Sequence, residues 1–314
     1  MISAIKQNWI GLLAGFGIVL ALFMGLYLRN IMSSLLFEKL LTLMCKLSII
    51  STIWAVIEIY LLPYIIGKQV HRASAMFFYP NYFGTVAASI IIICAYKVLT
   101  RQGNIYFYYG IALLNVISLY LCKSMFAWVE VFLGVGVLLI GLKKHKLLAY
   151  WLFLATIASF IIFILNINVI PRLNEAELTT KMRVDIWKFA IREIKQSPIF
   201  GQGYMSYLFK DKNMHLGYLV PHSHSIILEF LMNFGIIGTV LFLYYIIKYY
   251  FDLIKYWLYY NKVQYTFVLA ITAATIVHGL VDLTIMWVQT LPLLFIFMAG
   301  LGRDEPKKEF LLNE

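Results

Sequence analysis

His222-Ser223-His224-Ser225-Ile226 runs on through a continuous apolar stretch to Gly235-Ile236-Ile237-Gly238. It joins the one long polar segment of the chain to a hydrophobic helix, so two imidazoles stand where that helix meets water. Histidine exchanges a proton near neutral pH, and one at such a boundary can serve as a base toward a hydroxyl presented there. The ordinary alternative is an interfacial anchor or a helix cap. The spacing sets this stretch apart: His224 and Ser225, nine residues, then Gly235-x-x-Gly238.

Outward from that stretch, composition decides the class. Of 314 residues 62% are hydrophobic and 13% charged, and the mean hydropathy is +0.83. A soluble domain carries about a quarter charged residues, so the chain reads as all-α, a polytopic membrane helical bundle. Aromatic residues make up 17% and gather near the ends of apolar runs, as interfacial belts do. The net charge of +11 does not point to nucleic acid, because the basic residues sit in short loops between apolar runs and report topology instead. Cys45, Cys94 and Cys122 all fall in apolar runs without metal spacing and read as small buried hydrophobes, with no disulfide. The first apolar run is too long for a signal-peptide core and reads as a span. There is no internal repeat, and the tail from Arg303 is short, charged and expected to be disordered.

A span needs roughly 20 apolar residues. Nine are expected, near 8–28, 40–64, 82–99, 105–121, 125–142, 147–166, 225–249, 264–282 and 284–301. The second carries Lys46 and Glu58 and is expected to be tilted or broken, with Pro63 at its end. Short-loop charges (Arg29, Lys39, Lys97, Arg101, Lys143, Lys144, Lys146, Lys248, Lys255, Lys262, then Arg303, Lys307 and Lys308) mark the cytoplasmic side. Lys68, Arg72, Lys123 and the loop 167–224 then lie outside, within one membrane domain over 1–314. Within that loop, 182–196 has helical periodicity, with Val184, Trp187, Ile191 and Ile194 on one face and Lys181, Asp185, Lys188, Arg192 and Lys195 mostly across from it. It reads as a helix lying in the interface plane. Ser197-Pro198 ends it, and 199–204 is expected to be a flexible turn.

The outer loops hold the candidate chemistry. Arg72 precedes an aromatic stretch, Pro80-Asn81 and a small-residue helix, and its planar cation suits phosphate oxygens. Arg183 and Trp187 are helix neighbours, followed by Pro198-x-x-Gly201-x-Gly203. Lys123 follows the fourth span, as an outer cation or a snorkelling interface lysine. Arg172 and Arg192 are further cations of the loop. His278 and Asp282 stand inside or at the end of the eighth span, where ionisable residues are costly and often functional; a self-satisfying helix-end pair is the alternative.

These four blocks, in order over roughly residues 70–285, resemble the O-antigen ligase and O-antigen polymerase family. Lys123 departs from the family pattern, which often has Ser-Arg there. The resemblance implies a C-type, metal-independent glycosyltransferase fold and no cofactor. It also implies an undecaprenyl-pyrophosphate-linked glycan as donor, and a glycan or lipid acceptor, at the outer face of a bacterial plasma membrane, in lipopolysaccharide or capsule biosynthesis. Family members often carry further helices in front, so on this resemblance the chain reads as a short or N-terminally truncated version. A departing diphosphate needs fixed cations, for which Arg72 and Arg183 come first and Lys123, Arg172 and Arg192 in reserve. His224 is the expected base or acceptor-orienting group, with His222, Trp187, His278 and Asp282 as substrate contacts. His222, His224 and His215 could be read as zinc ligands, but no carboxylate stands at a motif spacing and no metal is expected. The competing class is a transporter or flippase of the lipid-linked oligosaccharide; such proteins usually show charges within spans and a repeat.

Overall fold

The structure, a computed structural model, describes residues 8–67, 69–165, 176–210, 220–260, 262–287 and 289–301. Lys68, Arg172, His215 and the tail from Arg303 fall outside the described residues. Every regular element among those described is helical: α1 Trp9–Ile31, α2 Ser34–Tyr60, α3 Leu62–Ile66, α4 Pro80–Leu99, α5 Ile105–Cys122, α6 Met125–Gly141, α7 His145–Leu165, α8 Ala176–Gln196, α9 Ser206–Lys210, α10 Ile226–Tyr260, α11 Val263–Gly279 and α12 Leu291–Ala299. Helices α1, α2, α4, α5 and α10 are long and apolar enough to cross a membrane, and α6, the stretch His145–Ile161 of α7, and α11 are shorter apolar segments. This is a multi-pass membrane protein, with large apolar side chains such as Leu13, Phe16, Leu20 and Phe23 turned outward on α1.

Helix α4 is the hub. It starts at Pro80, where the missing N–H costs nothing, and its residues Tyr82 to Ile93 are nearly all buried. Small residues let neighbours approach closely. A side chain at Gly84 would strike Ser124 Cβ at 2.7 Å, and one at Gly134 would strike Ile92 Cδ1 at 2.3 Å. Helices α2, α5, α6 and α11 pack around α4, and α8 lies against α10. The cysteines are buried free thiols; Cys45 and Cys94 stand 3.9 Å apart, beyond a disulfide.

Three expectations about the elements need correction. The final span, expected over 284–301, is helical only from Leu291 to Ala299. Pro292 would break a helix running through it, so the helix starts there; the preceding residues instead use their side chains in the polar interior. The second span neither breaks nor ends at Pro63: α2 is continuous from Ser34 to Tyr60, and Pro63 opens the short α3. Its Glu58 accepts from Ser74 N at 3.0 Å, Ser74 Oγ at 2.8 Å and Ala75 N at 2.6 Å, so it anchors the loop that carries Arg72. On α8 the buried residues are Ile186 and Ala190, packed with Tyr207, Val220 and Met232, while Val184 and Ile191 are exposed. Apolar residues occur on both flanks of this helix, so periodicity alone picked a face rotated from the packed one.

The stretch 199–204 is not a loose turn. Gln202 N donates to Met232 O at 2.8 Å and Gly203 N to Asn233 O at 2.9 Å. In return Ile236 N donates to Pro198 O at 2.8 Å and Ile237 N to Ile199 O at 3.2 Å. Those groups of α10 are freed because its helix breaks at Gly235, which has φ 64° and ψ −169°. That backbone conformation is open essentially to glycine alone. A Cβ on Gly235 would meet Ile199 O at 2.3 Å, and one on Gly201 would meet Gly235 N at 2.5 Å. The glycines of the two motifs therefore face each other and join backbone to backbone. The nine residues between Ser225 and Gly235 are a half-helix reaching from this joint to the imidazoles.

Candidate functional site

The polar turn before α10 is pinned from behind. Glu229, one turn into the helix, accepts from Ser223 N at 2.8 Å and from Asn233 Nδ2 at 3.0 Å. Asn233 Oδ1 in turn accepts from Ser206 N at 3.1 Å and Ser206 Oγ at 2.8 Å. This support holds His224 at φ 51°, a left-handed conformation uncommon outside glycine and recurrent at functional sites.

The two imidazoles then diverge. His222 is buried, and its Nδ1 accepts from His224 N at 3.2 Å. The proton of the neutral ring therefore sits on Nε2, which lies 3.0 Å from Tyr82 Oη. Burial first, then the neighbouring His224, lowers the His222 pKa to about 3 against a pull from Asp282. His222 is thus a neutral ring with both nitrogens engaged inside the protein. His224 is only partly buried, and its Nδ1 lies 3.0 Å from Asp282 Oδ1. Burial alone would raise the Asp282 pKa. The electrostatic pull and hydrogen bond of the adjoining His224, aided by the nearby His222 and His278, outweigh it and hold the carboxyl below its ordinary value. An ionised Asp282 accepts a hydrogen bond from His224 Nδ1–H, so in the neutral ring Nε2 carries the free lone pair.

The carboxylate carries this arrangement onward. Asp282 Oδ2 accepts from Asn81 Nδ2 at 2.6 Å, and Asn81 Oδ1 accepts from Arg72 Nη2 at 2.6 Å. Arg72 Nε donates to Cys122 O at 3.0 Å. One chain of contacts therefore runs from the loop before α4, through α4 and the segment after α11, to the start of α10. It borders a cavity of about 320 Å³ lined by Arg72, Tyr79, Pro80, Asn81, Tyr82, Thr179, Met182, Arg183, Ile186, Pro221, His222, His224 and Asp282. Arg183 also lines an adjoining narrow cleft with Lys123, Phe126, His278 and Asp282. Its guanidinium carbon lies 4.8 Å from the Phe126 ring centre, within cation–π range. Lys123 is placed by a left-handed backbone (φ 51°, ψ 41°) at the end of α5.

Of the sequence candidates, the structure brings His224, His222, Arg72, Arg183 and Asp282 to one cavity, with Lys123 and His278 at the cleft beside it. Two do not join them. Trp187 packs against the core between α8 and α10, and Arg192 reaches over Phe189 at 6.0 Å. Trp187, one turn beyond Arg183, turns to the packed core and does not line the cavity, while Arg192 lies off the face that carries Arg183. Asn81, Tyr82, Glu229 and Glu130 were not singled out from sequence as site residues. Asn81 and Tyr82 stand right beside the Pro80 already quoted; Glu229 and Glu130 are acidic residues within apolar runs, a signal that could have found them. The missing carboxylate near the histidines is also supplied, since nitrogens of His222 and His224 and an oxygen of Asp282 all lie within 4.8 Å of one another.

No curated protein matches the chain. The family model described as O-antigen ligase matches residues 110–243. That range contains Lys123, Arg183, His222 and His224, while Arg72, Asn81, His278 and Asp282 join them only through the fold. Over residues 110–243, somewhat under half of its length, the chain is similar to the O-antigen ligase family.

Proposed function

We propose that this protein transfers a glycan from undecaprenyl pyrophosphate to a sugar hydroxyl at the outer face of the plasma membrane, in ligase or polymerase fashion. The family match supports glycan transfer of this kind. The observation that carries the assignment of roles is the unbroken contact chain from Arg72 through Asn81 and Asp282 to His224, with Arg183 across the same cavity.

In this reading the acceptor oxygen attacks the anomeric carbon while the bond from that carbon to the diphosphate oxygen breaks. The hydroxyl proton passes to His224 Nε2, and Asp282 stabilises the imidazolium that forms. Negative charge grows on the departing diphosphate, and Arg72 and Arg183 neutralise it. Arg72 is oriented by two hydrogen bonds and Arg183 by the Phe126 ring, so neither must reorganise during the reaction.

The reaction is read as metal-independent. The resemblance implies this, and the hydrogen bonds of His222 to Tyr82, of His224 to Asp282 and of Asp282 to Asn81 give each of these groups a partner within the protein. The deciding experiment uses purified protein in nanodiscs with a synthetic undecaprenyl-pyrophosphate oligosaccharide and mass spectrometry of the products. Wild type is expected to extend or transfer the glycan with or without EDTA, and His224→Ala is expected to lose the activity. Movement of the donor across the bilayer without transfer would establish transport instead.

A further inference from the structure

Glu58 and Lys46 are charges within the apolar run of α2. Glu58 is used, since it anchors the loop that carries Arg72. Lys46 is the thirteenth of the helix's 27 residues and is exposed. A cation that deep in a membrane-crossing helix is costly and is usually retained for a function. Helical side chains lean toward the N-terminus, so Lys46 runs back past Thr42 and Leu43 toward Lys39 on one face of α2. These four residues line an open cavity of about 420 Å³, walled on its other side by Lys97, Gln102 and Tyr108. It lies at the far end of α4 from the candidate site. Lys97 stands in the last turn of α4 and Asn81 in the first, about 24 Å apart along the axis.

The polar groups of the wall are occupied with one another. Glu38 is the one acidic residue that lines the cavity among the described residues. Tyr96 Oη donates to its Oε1 at 2.6 Å, and Lys97 Nζ pairs with its Oε2. Lys97 also donates to Gln102 Oε1 at 3.1 Å. Thr42 gives its hydroxyl proton to Glu38 O at 2.9 Å, and its oxygen then accepts from Tyr108 Oη at 3.2 Å. Lys39 and Lys46 therefore bring positive charge that no further carboxylate lining the cavity balances. Deeper along the same face, Leu43, Leu47 and Ile50 are all exposed. Two cations above an exposed apolar track match the head and the chain of an anionic lipid.

We propose that this cavity holds the phosphate of an anionic phospholipid, with Lys39 and Lys46 as its cations and Leu43, Leu47 and Ile50 as the bed of an acyl chain. Basic pockets between membrane-spanning helices take such head groups. Free phosphate shares the charge chemistry, but it would leave the apolar track unused. The site does not rest on the transfer reading.

Native mass spectrometry of the full chain in detergent, titrated with phosphatidylglycerol or with phosphatidylcholine of the same acyl chains, tests this. Wild type is expected to bind one phosphatidylglycerol in preference to phosphatidylcholine. Lys46→Gln is expected to weaken that binding about fivefold, the contribution of one lysine near a head group. Lys39→Gln combined with it is expected to weaken binding about 25-fold. Lys46→Arg keeps the charge and is expected to bind as wild type does. Equal affinity of wild type for the two lipids, unchanged binding in Lys46→Gln, or an equal loss in Lys46→Arg would each overturn the proposal. Excess inorganic phosphate is expected to displace no more lipid than sodium chloride of the same ionic strength. Specific displacement by phosphate would assign the cavity to a soluble anion and overturn the lipid.

Discussion

Among the described residues, two hydrogen-bonded imidazole–carboxylate pairs, His224–Asp282 and His278–Glu130, are built in opposite ways. The first is assembled from two connecting segments, with His224 in a left-handed backbone and partly exposed to the cavity. The second is assembled from two packed helices and is almost wholly buried. Proton transfer needs a nitrogen that substrate can reach, and only the loop-borne pair offers one at the large cavity. The helix-borne pair is held in place by packing, because neither partner can move without disturbing the packing of α6 on α11. The same two residue types thus stand in different settings, one open to the cavity and one closed, according to what carries them.

That contrast is broken most directly at the loop-borne pair. His224→Ala is expected to reduce transfer by about 10²–10⁴-fold while Tm in nanodiscs stays close to that of wild type. Asp282→Asn keeps the shape but removes the charge that selects the tautomer, and transfer is expected to fall by about 10²-fold or more. Transfer by either variant at the wild-type rate would move the proton-accepting role elsewhere.

The next largest effect falls on the joint that holds His224 in place. Gly235→Ala must adopt a conformation reserved for glycine and also meets Ile199 O at 2.3 Å. A loss of roughly 1–3 kcal/mol from the backbone conformation alone is expected, read as a drop in Tm and in yield of folded protein. An unchanged Tm would mean that the two glycine motifs do not bear on each other.

How much of this was legible in the sequence follows from how local each feature is. His224, Arg183 and the glycines carry motif spacing, so they could be read directly, and long apolar runs gave most helices to within a few residues. Asp282 was singled out as an ionisable residue near a helix end. Its partnership with His224, 58 residues away, and with Asn81, 201 residues away, depends on how α4, α10 and α11 meet, which no spacing encodes. The α8 face was misread because hydrophobic residues there serve more than one environment, so their periodicity alone does not select the packed side. The Gly-x-Gly segment was read as flexible because glycine permits turns; its actual use is close backbone approach, a second consequence of the missing Cβ.

Arg183 sharpens the comparison at a smaller scale. Lysine keeps the charge but loses the planar fork and the face that rests on Phe126. Arg183→Lys is expected to lose most activity, about tenfold or more, chiefly as a higher donor KM. Full activity would leave Arg183 with a packing role on α8.

The smallest effect separates His222 from His224 by acid sensitivity. The folded protein keeps His222 neutral down to about pH 3, whereas the unfolded chain takes up its proton near the ordinary value of 6.5. Between those values the unfolded state binds more protons at this site, so the site lowers stability as pH falls from 6.5 toward 3. His222→Gln can still accept from His224 N and donate to Tyr82, and it has no proton to gain. Its Tm should therefore decline less steeply than that of wild type across this window, while the two variants converge in slope above pH 7. Parallel slopes throughout would mean that His222 is charged in the folded protein, and the distinction between a neutral supporting ring and a reactive one in this His-x-His pair would have to be redrawn.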